Sequence, residues 1–169
     1  LRYFLENWDG HIAYALYVSG IQLGNLETKP LGHYKLNVSA KTAEREVMES
    51  SSGASAVTIL SNIAFQLGNI RWDSENDTTL NIARILAGVG YGFFPNEGFM
   101  EIEIYSGNTG VLEMMKNAAS ATIEKIAAES GADVEVNVNS YIPVGNPLIN
   151  SFLTEALKKV HRNLKIRSS

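Results

Sequence analysis

The chain contains no cysteine, which removes disulfides, thiolate nucleophiles and cysteine metal sites together. Histidine is scarce as well: His11, His33 and His161 are too dispersed to read as a zinc motif. Charged residues make up only 19% of the 169, and 14 basic against 18 acidic residues leave a net charge of −4. That balance offers nothing to nucleic acid or to an anionic membrane, so neither is expected as a partner. No run of about 18 apolar residues occurs. The opening Leu1-Arg-Tyr-Phe-Leu-Glu-Asn-Trp has no basic region followed by an apolar core and a cleavage site. The expectation is a cytoplasmic protein.

What is present is alternation. Tyr34 to Ala40 places Leu36, Val38 and Ala40 on one side and Lys35, Asn37 and Ser39 on the other, as a half-buried strand does. A helix follows, with capping hydroxyls at Ser50-Ser-Ser, apolar residues Val57, Leu60, Ile63, Ala64 and Leu67 at helical spacing, and a stop at Gly68 and Asn69. Thr78 to Ala87 is β-rich, and Gly88-Val-Gly-Tyr-Gly turns the chain into Phe99 to Ser106. There Met100, Ile102 and Ile104 face one way and Glu101, Glu103 and Tyr105 the other. A second helix begins near Asn108 or Thr109, carries Leu112, Met115, Ala119, Ile123, Ile126 and Ala127 on one face, and ends at Gly131. The last strand is Asp133 to Ser140, with Val134, Val136 and Val138 inward.

The order β-α-β-β-α-β predicts an α+β fold: a ferredoxin-like sandwich of one four-stranded antiparallel sheet with both helices on one face. Residues 34–140 account for it. Residues 1–33 carry a flanking N-terminal strand, His11 to Val18, and a loop-like stretch from Gly20 to Gly32. Residues 141–169 carry a C-terminal helix, with Asn146 as cap, Pro147 at the first helical position and Ile149, Leu153, Ala156, Leu157 and Val160 as its apolar stripe. Lys158, Lys159, His161, Arg162, Lys165 and Arg167 crowd its end, suiting the negative end of the helix dipole.

The densest motif is Thr78-Thr-Leu-Asn-Ile-Ala-Arg-Ile-Leu-Ala-Gly, followed by Phe94-Pro95-Asn96-Glu97 and then Met100-Glu-Ile-Glu-Ile-Tyr-Ser106. It resembles a signature of the zinc aminoacylase, acetylornithine deacetylase and carboxypeptidase-G family of metallopeptidases and amidohydrolases. The resemblance lies in that family's lid domain, through which subunits dimerise. The flanks fit too: Ala15-Leu-Tyr-Val-Ser-Gly-Ile-Gln-Leu-Gly24 resembles the last strand of the catalytic domain before the lid, and Asn146-Pro-Leu-Ile-Asn-Ser-Phe-Leu the first catalytic-domain helix after it. Residues 1–33 then read as the edge of a catalytic domain, and a catalytic domain in cis as a second partner. The parent reaction implied is zinc-dependent hydrolysis of an amide bond in peptides or N-acyl amino acids.

The same resemblance places four family positions with chemical roles, and all four are changed. The lid histidine that polarises the scissile carbonyl corresponds to Glu46, or to Arg45 with one residue of slippage, and a carboxylate repels a developing oxyanion. The substrate-binding asparagine corresponds to Gly92. The arginine that grips a substrate carboxylate corresponds to Tyr105, which loses the charge and the fork. The zinc-ligand glutamate corresponds to Ser19, a poor zinc ligand. The expectation is a catalytically inert chain with no metal and no cofactor of its own, and a degenerate, pseudoenzyme parent.

The remaining chemistry-like features point to structure. Gly88-x-Gly-x-Gly lacks phosphate-loop spacing and suits a hairpin turn needing positive φ. Glu101 and Glu103 share a strand face as solvated charge. In the expected strand order Thr78 to Ala87 is an edge strand, and Leu80-Asn-Ile-Ala-Arg-Ile-Leu carries one charge and no proline to guard it. A two-fold homodimer is therefore expected through Leu80, Ile82, Arg84 and Leu86, with Asn62 and Gln66 from the neighbouring helix. A ferredoxin-like regulatory module binding a small molecule at a dimer interface is the alternative of a different class. Single-stranded RNA binding would need exposed aromatics and positive charge where Asn37, Glu101, Glu103 and Glu135 stand.

Overall fold

The alternating segments become strands β1 (Gly32–Lys41), β2 (Thr79–Ala87), β3 (Glu97–Ser106) and β4 (Asp133–Ile142), and the 3.6-residue patterns become helices α1 (Ala56–Asn69), α2 (Thr109–Ser130) and α3 (Ser151–Asn163). The structure, a computed structural model, describes residues 6–10, 16, 18, 20, 22–26, 30–44, 53–71, 77–146 and 151–167. It divides into two units, Lys29–Gly145 and a second drawn from both flanks, Leu1–Thr28 with Asn146–Ser169.

In the first unit the four strands form one antiparallel sheet in the order β2-β3-β1-β4. The central pair is in register with Leu36 opposite Ile102, Val38 opposite Met100 and Ala40 opposite Gly98, so the apolar residues of both strands share a face. All of them except Gly98 are fully buried, together with Ile104. Gly98 has to be glycine: a Cβ there would stand 2.6 Å from Cβ of Ala87 and 2.8 Å from Cδ1 of Leu60.

Helix α1 is capped by Ser55, whose hydroxyl accepts from Thr58 N–H at 3.2 Å, while the Pro95 carbonyl accepts from Ala56 N–H at 2.8 Å. The expected caps at residues 50–52 lie outside the described residues. Ala56, Ile59, Leu60, Ile63 and Leu67 form the buried stripe. Val57, expected inside, is 40% exposed because the stripe centres on Ile59 and Ile63, a quarter-turn or more away. Helix α2 starts at Asn108, whose side chain accepts from Val111 N–H, and stops at Gly131 in the left-handed conformation, φ 66°. Leu112, Met115, Ala119, Ile123 and Ile126 complete one hydrophobic cluster with α1 and the inner sheet face. Ser106, the buried polar residue among those described, is satisfied by the Thr78 hydroxyl at 2.9 Å and by Asn108 N–H at 3.1 Å.

Chain entrance and exit lie side by side. His33 at the start of β1 pairs with Ile142 at the end of β4, and Gly145 N–H donates to the Pro30 carbonyl at 3.0 Å. Beside this junction the Tyr34 hydroxyl donates to Glu113 Oε1 at 2.6 Å, and its ring stacks on Tyr141 with centroids 4.6 Å apart.

In the flanking unit α3 has no fully buried residue. Leu153, Leu157 and His161, one turn apart, are half-buried, whereas Ala156 and Val160 of the expected stripe are exposed because they lie off that row. The helix closes with Ile166 N–H on the His161 carbonyl, Lys165 N–H on the Arg162 carbonyl and Lys165 at φ 56°. Gly24, at φ 96°, turns directly against Ile166 and Arg167, so the two flanks touch. Residues 11–15, 17 and 147–150, which hold most of the expected strand and the cap of the helix, lie outside the described residues. Among the described residues no helix is long and apolar enough to cross a membrane.

Hydrogen bonding to Glu113, then desolvation, push the Tyr34 phenol up to about 12 from 10.0. A proton held more tightly folded than unfolded stabilises the fold fully below pH 10.0, and that contribution is lost as pH rises toward about 12. Ultraviolet titration of wild type minus Tyr34→Phe, within the range where circular dichroism reports a folded chain, should show this phenol ionising well above 10, and Glu113→Ala should bring it down.

Candidate functional site

With both helices on the inner face, the outer face of the sheet is open. Register sets opposite charges against one another there: Lys35 faces Glu103, Lys41 faces Glu97 and Arg84 faces Glu101. The pairs close at 3.3, 3.7 and 3.8 Å. The Arg84 guanidinium also lies over the Phe99 ring, 4.9 Å from its centroid. Glu103 is the hub, accepting from the Asn81 amide at 3.3 Å and the Tyr105 hydroxyl at 3.2 Å besides its lysine. Sequence reasoning named Glu101 and Glu103 on this face and Arg84 on the edge strand without pairing them, and passed over Lys41 with Glu97; the available signal was opposite charges at matching positions of paired strands.

The positions with family roles do not converge. Ser19, Arg45 and Glu46 lie outside the described residues. Gly92 sits in the β2–β3 turn at φ 83°, with no atom within 4 Å of where a side chain would start. Tyr105 lies near the far end of β3, beside His33 with ring centroids 5.5 Å apart. At the rise of a strand, about 3.3 Å per residue, the length of β3 alone separates Tyr105 from the Gly92 turn by about 25 Å. His33 Nε2 lies 3.1 Å from the Ser140 hydroxyl, and His161 belongs to α3. Among the described residues no group of three or more His, Asp or Glu stands together to hold a metal ion.

The other candidate surface is the β2 edge. β2 is outermost, as its sequence predicts. Its pairing with β3 shifts between Ile82 and Arg84, a bulge at Ala83. Leu80 and Ile82 consequently face the helix side and are half-buried, whereas Arg84 and Leu86 are exposed on the open face. On α1, Asn62 and Gln66 are exposed, and Phe65 between them is 66% exposed. Sequence reasoning passed over Phe65, which lies off its helix's apolar stripe. The β2–β3 turn presents Val89, Tyr91 and Phe93 to solvent, and Gly88, Gly90 and Gly92 all take positive φ, as the turn composition requires.

The Asn81 amide first, then Lys35, hold the Glu103 carboxyl below the usual carboxylate range against the opposing effect of burial. A depressed pKa stabilises the fold above the ordinary carboxylate value, and the contribution is lost as pH falls through the lowered one. Carbon-13 titration of the Glu103 carboxyl should place its midpoint below 4.5 in the wild type and higher in Asn81→Ala.

No protein-family model matches the chain, and no curated protein matches it. Solved structures do. A tripeptidase from Staphylococcus aureus superposes with TM-score 0.74 at 18% identity, covering 89% of this chain and 41% of that one. Aminopeptidase PepT from Bacillus cereus gives 0.67 at 23% identity, covering 89% and 40%. An amidase of the hydantoinase/carbamoylase family from Burkholderia vietnamiensis gives 0.72 at 13% identity, covering 84% and 35%. The chain therefore spans about two fifths or less of the length of these structures. At such identities the likeness is one of fold, and the fold of this chain is that of a segment within peptidases and amidases of this group.

Proposed function

We propose that this chain contains the dimerisation (lid) domain of a zinc-dependent peptidase- or amidohydrolase-like protein, a ferredoxin-like sandwich whose own activity is self-association. The observation that carries the proposal is the edge position of β2 beside the exposed side of α1, in a fold shared with a segment of peptidases and amidases. Antiparallel pairing of two β2 strands across a two-fold axis joins two four-stranded sheets and brings the exposed Ser61 and Phe65 of the two α1 helices toward one another, whereas Asn62 lines the groove against Ile126 and Glu129 of α2. The bulge limits regular pairing to short runs on either side of Ala83, so the helix contact supplies the rest of the interface.

The flanks support a catalytic domain in cis. The adjacent ends of Lys29–Gly145 suit a domain inserted into another, and the contact of Gly24 with Ile166 and Arg167 joins the two flanks of that insertion. Residues 1–33 and 141–169 are then the catalytic-domain borders of the insertion. In the parent, zinc-activated water would attack an amide carbonyl of a peptide or N-acyl amino acid. In this chain Gly92 offers no side chain to a substrate, and the Tyr105 hydroxyl is engaged by Glu103, so neither replaces the family group at its position.

Light scattering of the full chain at micromolar concentration should report a dimer, and the double substitution Ser61→Lys, Phe65→Lys should report a monomer with an unchanged circular dichroism spectrum, since both sites are exposed. A wild-type monomer overturns the proposed interface. The chain purified without added metal should carry no stoichiometric zinc and should leave N-acetyl amino acids intact; metal-dependent turnover contradicts the inert assignment.

A further inference from the structure

At the end of the sheet where β2 and β3 are joined, the open face is hollowed into a cavity of about 440 Å³. Its wall is apolar, with Leu86 of β2, Phe99 of β3 and Val89 and Phe94 of the connecting turn. Its rim carries one ammonium and one carboxylate side by side, Lys41 Nζ and Glu97 Oε1, 3.7 Å apart.

The cavity is preformed. Thr42 N–H donates to the Asn96 carbonyl and Ala56 N–H to the Pro95 carbonyl, both at 2.8 Å, tying the returning arm of the turn to β1 and to the first residue of α1. The Arg84 guanidinium lies over the Phe99 ring. By contrast the rim pair is loose: its side chains are 62% and 68% exposed, and an exposed ion pair of this length holds its partners weakly. Opening it toward a ligand costs little.

We propose that this cavity binds a free α-amino acid with a large apolar side chain: Lys41 takes the carboxylate, Glu97 takes the ammonium, and the side chain lies among Leu86, Phe94 and Phe99. The charge balance selects the class. An anion alone leaves Glu97 facing negative charge, and a cation alone leaves Lys41 facing positive charge, whereas a zwitterion matches both. Charges borne on a single carbon fit adjacent heads; in a peptide the termini stand at least one residue further apart. The volume is in the range of small-molecule sites, and a mostly apolar wall with a few placed polar groups is their usual make-up. The inference does not rest on the homodimer, though Leu86 belongs to the edge strand proposed for it.

The test is calorimetric or NMR titration of the full chain with L-phenylalanine, phenethylamine, which lacks the carboxylate, and 3-phenylpropionate, which lacks the ammonium. L-Phenylalanine should bind saturably with Kd on the order of 1 mM, as an open site with two charged contacts allows. Each truncated probe should bind about tenfold more weakly, and Lys41→Met and Glu97→Gln should each weaken L-phenylalanine by about tenfold while leaving the melting temperature unchanged. No saturation by about 20 mM, binding unaltered in both variants, or equal affinity for all three probes overturns the assignment. Light scattering of the same samples separates the two proposals: a dimer that ignores the amino acid removes this site alone, and a monomer that binds it removes the self-association alone.

Discussion

The structure depends on a single buried row. Leu36, Val38 and Ala40 of β1 and Met100, Ile102 and Ile104 of β3 stand in register at the centre of the sheet, and every other element of the Lys29–Gly145 unit is placed by what it adds to that row. α1 contributes Ile59, Leu60, Ile63 and Leu67 from one side, and α2 contributes Leu112, Met115, Ala119 and Ile123 from the other. Burying each Leu, Ile, Val or Met side chain among these stabilises the fold by roughly 1.5–3 kcal/mol relative to exposure, so the two helices have no comparable alternative site. The outer strands are held less firmly, because β2 and β4 each have one neighbour and their inward residues are only partly covered.

That inequality explains how much the sequence disclosed. Where burial is complete, periodicity is clean: the inward and outward faces of β1 and β3 and the Gly131 stop of α2 follow from the pattern of residues alone. At the margins the pattern blurs. Val57 is apolar and helical in spacing yet sits outside the stripe. The bulge at Ala83 leaves no mark in a run of β-formers, since a one-residue insertion in pairing is a property of two strands together. The edge position of β2 was legible because it follows from connectivity, whereas the cavity at its end was not, because it is made by a turn folding back on three strands.

The open face adds a second lesson about charge. Three acidic residues on β3, Glu97, Glu101 and Glu103, could be taken for an acidic site, but each faces a base across the sheet and the hub carboxylate is further satisfied by an amide and a phenol. Charge that is compensated within the sheet orders side chains more than it attracts ligands. The exception is the Lys41–Glu97 pair, which combines exposure with an apolar cavity and so can exchange partners.

The clasp between Pro30 and Gly145 has a mechanical consequence. β1 begins where β4 ends, so a force separating the two attachment points pulls at the His33–Ile142 corner of the sheet. Under that geometry the two strands peel apart one rung at a time, instead of sliding past one another with all rungs loaded at once. The unit is therefore compliant toward a pull that separates its two ends, while the buried row at its centre stays closed.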